Sequence, residues 1–560
     1  MADFKVRQPI VGRRQFIGGT LAASALAALA ACSPAGKGSG STDGGGSSAS
    51  NKISYFLSDP KAIDPYNLQE DQGTQVGHCL FDPLVTYDWD KKKVVALAAK
   101  DLPEISEDGL TYTFKLKEAT FHNGDKVDSA SFKRGWQRLV DPNMKTPGEI
   151  GYHLAPVAGY SEYLAGNAKE ITGLTCPDDS TFVVTLSKKM ADFIYVCTHP
   201  GLVPVPQAAI DEADDFLLAP IGNGPFKMKD KWVTGQYIEI ERNDDYYGDK
   251  ATIDGVYFSI QKSPETAFTE FESGNIDFTN IPTAKLKDIK DQYGASKDGF
   301  TVTPGNQVLD GTECSVYFLA ANLKGTNEYL KDVNVRRAIS MAINRKNIVE
   351  TVLSGYGAVA DGVIPSLIDD EKEGKWKYTE YDPKAAAKLL DDKYPAGDDG
   401  KRGITVTLNY NSGGGHEDIM TTIQSDLENI GIEVNQGTQE WAAYLTTMKE
   451  GSYDLGRMGW IADYPTIDNF IYPNFYSTAD NNYSKYDNPE IDKAIDASRL
   501  IDDEDERKEA LRKISAKIGD DMPLIPIYFY SHKYVGSKRL KKFYYSPQVA
   551  AAFSKAEIAK

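Results

Sequence analysis

Residues 404–435 read ITVTLNYNSGGGHEDIMTTIQSDLENIGIEVN, and this stretch decides the fold. Apolar and polar residues alternate over 404–410, the period of a half-buried strand. Residues 418–430 read as a helix that stops at Gly431, where a glycine readily takes the left-handed conformation ending a helix. Residues 432–435 then form a second strand. A helix between two strands spans the distance a parallel pair requires, so the segment predicts an α/β domain with a partly parallel sheet.

The rest of the chain alternates in the same way. Strands are expected at 51–56, 110–117, 181–186 and 237–241. A helix is expected at 73–81, leading into Pro83. Another at 128–140 has Phe132, Trp136, Leu139 and Val140 on one face. A long helix is expected over 335–353, with apolar Ala338, Ile339, Ala342, Ile343 and Val349. The acidic run 502–506 reads as a solvated helix face. No period of about 20–50 residues appears, which excludes a solenoid.

The chain has 560 residues, 62 Lys+Arg against 81 Asp+Glu, and a formal charge of −19. That length implies two to four domains. Hydrophobic residues at 41%, with 32 Tyr and 22 Phe, supply sizeable cores and exclude global disorder. So acidic a balance argues against nucleic acid, whose phosphates require Lys and Arg. Five cysteines are too few for a disulfide scaffold at this length.

Residues 1–31 are an address rather than part of the fold. Arg13-Arg14 precede an uncharged, weakly apolar stretch that ends in Leu29-Ala30-Ala31-Cys32. This resembles the lipobox of bacterial lipoproteins, which implies a lipid on Cys32 and a protein held at the outer face of the cell membrane. The arginine pair with Phe16 resembles a twin-arginine export signal; general secretion is the alternative route. Removing residues 1–31 takes away four basic and one acidic residue and brings −19 to −22. Residues 33–50 hold six Gly and six Ser, a flexible tether spanning about 20–25 Å.

Catalytic signatures are missing. The chain has no Gly-x-Ser-x-Gly elbow and no Gly-Lys-Ser/Thr phosphate loop. His416-Glu417 opens like a zinc-protease motif, but Met420 stands where the second histidine is needed. With six His and no Cys-x-x-Cys, neither a dedicated metal site nor a cofactor is expected. The expectation is a binding protein, not an enzyme. A surface hydrolase using a carboxylate pair is the rival from another class.

Co-linear segments carry a more specific reading: AIDPYN (62–67), LFDPLVTYD (80–88), FHNGDKVDSASFKRGWQRLVDP (121–142), NGPF (223–226), SGNIDFTN (273–280), VRRAISMAINRKNIV (335–349) and GWIADYPTIDNF (459–470). Together they resemble family 5 of the extracellular solute-binding proteins, in particular its oligopeptide-binding members, which serve ABC importers. The resemblance implies a periplasmic-binding-protein-like α/β fold of class II (cluster C), with two lobes, a hinge and an extra domain. It places lobe I at 51–81, 204–313 and 531–560, the extra domain at 82–203 and lobe II at 314–530. It also implies a monomer that captures extended oligopeptides between closing lobes and passes them to a permease. The same fold serves other ligands in some relatives: dipeptides, signalling peptides, oligosaccharides and metal chelates.

Site residues follow from the same resemblance. Asp463 aligns with the carboxylate that receives the peptide α-ammonium, and Arg457 and His416 with positions that neutralise the peptide carboxylate. Trp441 and Trp460 match aromatic residues of side-chain pockets, and Asn280 matches a further contact. Gln69, Glu70 and Asp71 correspond to one main-chain-pairing edge, and Gly459 with Ile461 to the other. Relatives place a lysine near Leu353 and a glutamate near Ala320, so their preference for peptide length does not transfer. Cys314 has no partner at Ile461, where relatives with a disulfide carry cysteine. A bridge between Cys176 and Cys197 within the extra domain stays open.

Overall fold

The computed structural model describes residues 51–144, 148–371, 374–412 and 414–559. The expected address 1–31, the tether 32–50 and Cys32 lie outside these residues. Among the described residues, no helix is long and apolar enough to cross a membrane.

The strand–helix–strand unit forms as Thr405–Asn411, Glu417–Glu428 and Glu433–Gln439. Its strands pair in parallel, from Thr405 opposite Glu433 to Asn411 opposite Gln439. Ile419, Met420, Ile423 and Leu427 bury one face of the helix. Gly431, at φ +84°, makes the sharp exit that a side chain would strain.

These strands belong to a six-stranded mixed sheet, in the order Ala358–Val359, Leu524–Ser531, Thr312–Ala321, Leu455–Ile461, Thr405–Asn411, Glu433–Gln439. The strand Thr312–Ala321 lies near the middle with both faces covered. Val316, Phe318 and Ala320 enter one hydrophobic cluster, and Tyr317, Leu319 and Ala321 the other. Burial on both faces explains why its sequence is a continuous apolar run rather than an alternation.

A seven-stranded sheet forms the core of the other lobe. Its central strand Lys52–Leu57 pairs in parallel with Gly255–Ile260 and Phe278–Asn280. A four-stranded antiparallel sheet, including Thr111–Lys115 and Thr181–Thr185, packs with the helix Ser129–Arg138 around fully buried Phe132 and Trp136. The molecule is thus a two-lobed α/β protein with an additional domain.

The chain passes between the two large sheets twice, side by side. Val308–Leu309 lies in the seven-stranded sheet, and Thr312–Ala321 follows in the six-stranded one. Leu524–Ser531 returns to Tyr534–Gly536. Thr312 pairs with Ser531, the His532 N–H donates to the Gly311 carbonyl at 2.8 Å, and Glu313 Oε1 meets His532 Nδ1 at 2.9 Å. Two paired crossovers make a two-part hinge.

One expectation is corrected and one open question is closed. The long helix over 335–353 is broken. Val333–Ala342 ends where Ile343 turns extended, and Asn344 caps a new start by accepting the Asn347 N–H at 3.0 Å. A π-type turn, Ile348–Val352, completes the segment. Apolar spacing continues across the break, so periodicity alone did not reveal it. Cys176 and Cys197 are free thiols, as are Cys79 and Cys314, so the bridge left open above is not formed.

Candidate functional site

Between the lobes lies a cleft of about 1470 Å³, lined by residues from both large sheets and from the additional domain. Its lobe II wall comes from the end of the strand Leu455–Ile461 and the turn into the helix Ile467–Phe475. Thr466 caps that helix by accepting the Asn469 N–H at 3.4 Å. Asn469 then organises the turn. Its Oδ1 accepts from the Asp463 N–H at 2.9 Å and from Trp460 Nε1 at 3.2 Å, and its Nδ2 donates to Asp463 Oδ2 at 3.3 Å.

Asp463 faces the cleft from this frame. Across it, the Tyr152 hydroxyl donates to Oδ2 at 2.7 Å, and Gln548 Nε2 donates to the Ala462 and Asp463 carbonyls at 3.2 and 3.1 Å. His153 Nε2 lies 3.7 Å from Oδ2. Burial pushes the Asp463 carboxyl up, opposed by His199, Tyr152 and Asn469. Burial also pushes both His153 and His199 down to about 3, so the imidazoles are neutral at ordinary pH. The carboxylate is thus surrounded by hydroxyl, amide and neutral imidazole, none carrying a compensating charge.

Gln69, Glu70, Asp71, Trp441, Gly459, Trp460 and Ile461 line the same cleft. Glu70 accepts the Lys61 N–H, and burial pushes the Asp71 carboxyl up to about 7. Trp441 is 45% exposed and Ile461 41%, both open to the cleft, whereas Trp460 is buried and tied to Asn469. A Cβ on Gly459 would come within 2.9 Å of the Tyr530 hydroxyl, so the space this glycine leaves is used first by Tyr530.

Arg457, His416 and Asn280 do not line the cleft. Arg457 Nη2 donates to Tyr530 Oη at 2.7 Å and Nη1 to Asn411 Oδ1 at 3.4 Å. Its guanidinium lies 4.7 Å over the Tyr317 ring, and its buried Nε has no hydrogen-bond partner among the described residues. His416 shares that neighbourhood, with Nδ1 3.4 Å from the Tyr317 hydroxyl; burial pushes its pKa far down, and the Arg457 charge adds to the effect. Asn280 ends the strand Phe278–Asn280, opposite Tyr534.

Sequence reading did not single out Tyr152, His153, His199, Glu149, Lys449 or Gln548. No spacing connects them; only the fold brings Tyr152, His199, Glu149, Lys449 and Gln548 to one cleft, with His153 packed beside Asp463. Glu149 is the clearest case, with Lys61 at 2.8 Å and Lys449 at 3.1 Å on its two oxygens, joining cleft walls from distant parts of the chain.

The model of the bacterial extracellular solute-binding proteins, family 5 (middle), matches residues 93–482. The chain belongs to that family. It is 29% identical to the periplasmic oligopeptide-binding protein OppA of Salmonella typhimurium over 485 residues, 84% of this chain and 86% of that one. It is 26% identical to the oligopeptide-binding protein OppA of Bacillus subtilis over 539 residues, 92% and 94% of the two chains. The crystal structure of Haemophilus influenzae OppA in complex with RPPGFSPFR superposes with a TM-score of 0.76 at 26% identity, covering 91% of this chain and 99% of the other. The cleft of this family-5 protein is therefore that of a solute-binding protein.

Proposed function

We propose that this protein is the lipid-anchored binding component of an ABC importer, capturing extended oligopeptides by their free amino terminus and delivering them to a permease. Cys32 is the attachment point, and the body acts as a monomer without catalysis. Lobe I comprises 51–81, 204–313 and 531–560, the extra domain 82–203 and lobe II 314–530.

The observation that carries the reading is the Asp463 carboxylate, only 12% exposed at the cleft and contacted by a hydroxyl, an amide and neutral imidazoles. Such a group favours a ligand that brings a cation, and a peptide α-ammonium does so at neutral pH. A volume of about 1470 Å³ exceeds the about 300–1,000 Å³ of ordinary small-molecule sites, which suits an extended chain. Trp441 offers an open aromatic surface to varied side chains. Arg457 and His416 are assigned to the peptide carboxylate by the resemblance alone, since neither lines the cleft as it stands. Gln69, Glu70, Asp71, Gly459 and Ile461 edge the peptide backbone, with Trp460 and Asn280 behind. Ligand contacts to both walls favour the closed population.

Asp463→Ala should weaken peptide binding by about 3 kcal/mol, measured by calorimetry with a tight-binding peptide. N-acetylation of that peptide should weaken binding to the wild type for the same reason. Unchanged affinity in both experiments sinks the assignment. Native mass spectrometry of freshly purified protein separates ligand classes: a ladder of peptide masses supports this reading, and a single sugar or chelate mass replaces it.

A further inference from the structure

Asp463 shares its end of the cleft with two histidines that peptide capture leaves unused. His153 and His199 are each 3% exposed, with ring centres 4.5 Å apart. One nitrogen from each ring and one Asp463 oxygen lie within 4.8 Å of one another. His153 Nε2 stands 3.7 Å from Asp463 Oδ2 and makes no hydrogen bond with the described residues. A buried polar atom left without a partner is costly and calls for an explanation.

We propose that His153, His199 and Asp463 form a binding site for a divalent ion of the zinc or nickel class, at the Asp463 end of the cleft. Two imidazoles and one carboxylate suit such ions and leave a coordination position open; calcium and magnesium prefer oxygen donors throughout. Donors about 2.1 Å from one tetrahedral ion stand about 3.4 Å apart, and the His153–Asp463 separation of 3.7 Å is near that. Tyr152 and Asn469 already hold the carboxylate by hydrogen bonds, the support that orients metal ligands. His199 and Asp463 line the cleft, which gives an ion access to the pair.

His199 adds a signature. Its Nδ1 accepts the Gly201 N–H at 3.0 Å. An ion on Nδ1 displaces that bond, and an ion on Nε2 forces the ring proton onto Nδ1. Metal uptake therefore releases the Gly201 amide by either route. A dication also consumes the charge of Asp463, so zinc and a free peptide amino terminus oppose one another at this residue.

The site itself stands on the side-chain cluster, independently of peptide capture. Chelator-stripped, untagged protein titrated with zinc should bind one ion with a dissociation constant below about 10 µM. His153→Gln and His199→Gln should each weaken binding at least about tenfold. Absence of zinc binding overturns the site, as does binding undiminished in both variants. If the variants do not fold, the wild type decides. Zinc should raise its melting temperature and speed hydrogen exchange at Gly201; the proposal fails if neither occurs. Peptide titrated with EDTA present reports on peptide capture alone. Intact peptide binding without zinc binding removes the metal site only, and zinc binding without peptide binding removes the peptide reading only.

Discussion

Asp71 opens the helix Asp71–Leu80 at the cleft wall, and its carboxyl is pushed from an ordinary 3.8 up to about 7. Desolvation is the main cause, opposed by the Gln75 amide at 3.1 Å and reinforced by Glu313 and Glu70. Between those two values the folded protein holds a proton that the unfolded chain has released, so stability falls as pH rises through about 4 to 7. Asp71→Asn removes that titration. Thermal melts should show the variant more stable than wild type at pH 7.5, by about 1–3 kcal/mol, and equal to it at pH 4. An identical pH dependence in the two proteins would assign the titration elsewhere. At this scale Asp463 was legible as a cleft residue because it lies in the specific segment 459–470, whereas Trp441 and Asp71 lie between the quoted segments and were placed only by their position in the resemblance. Tyr152, His153 and His199 were not legible, since a side chain's neighbours across a cleft leave no mark on its own segment.

Among the elements, the break after Val333–Ala342 has a buried cause. Arg345 is 2% exposed and donates to the carbonyls of Pro526 at 2.6 Å, Ser340 at 2.7 Å and Thr379 at 2.9 Å, and to the Ser340 hydroxyl at 2.7 Å. The guanidinium fastens the broken helix to the strand Leu524–Ser531 through a fork that one ammonium cannot reproduce. Arg345→Met leaves those carbonyls unsatisfied and should cost about 3 kcal/mol or more in urea unfolding, with Arg345→Lys recovering only part. The acidic run 502–506 straddles a helix start, with Glu504, Asp505 and Glu506 in the first turn and Asp502 and Asp503 before it. Asp503 caps the helix Glu504–Asp521 by accepting the Asp505 and Glu506 N–H groups, where negative charge favours the helix dipole.

At the scale of the whole molecule, the walls are held together without ligand by contacts of unequal strength. Asp192 and Arg507 pair at 2.8 Å with both side chains buried, joining the additional domain to lobe II. The Lys61–Glu149–Lys449 clasp is half open to water, so it contributes no more than about 1 kcal/mol. Lys449→Ala should therefore shift the ligand-free protein toward the open form, seen as a larger radius of gyration by X-ray scattering. Peptide affinity should fall by no more than about fivefold, an effect lost in about 0.5 M salt. A larger loss, or one insensitive to salt, would place Lys449 in direct ligand contact. The sequence by itself determined the α/β class and the strand–helix–strand unit, because periodicity and a helix-ending glycine are local signals. Its co-linear segments pointed to the family for the same reason. Only the tertiary structure decided the break at Ile343, the free thiols, the packing of Arg457 against Tyr530 and Tyr317 outside the cleft lining and the meeting of His153, His199 and Asp463. Those depend on desolvation and on contacts between residues far apart in the chain, which become defined only once the two lobes and the additional domain pack together.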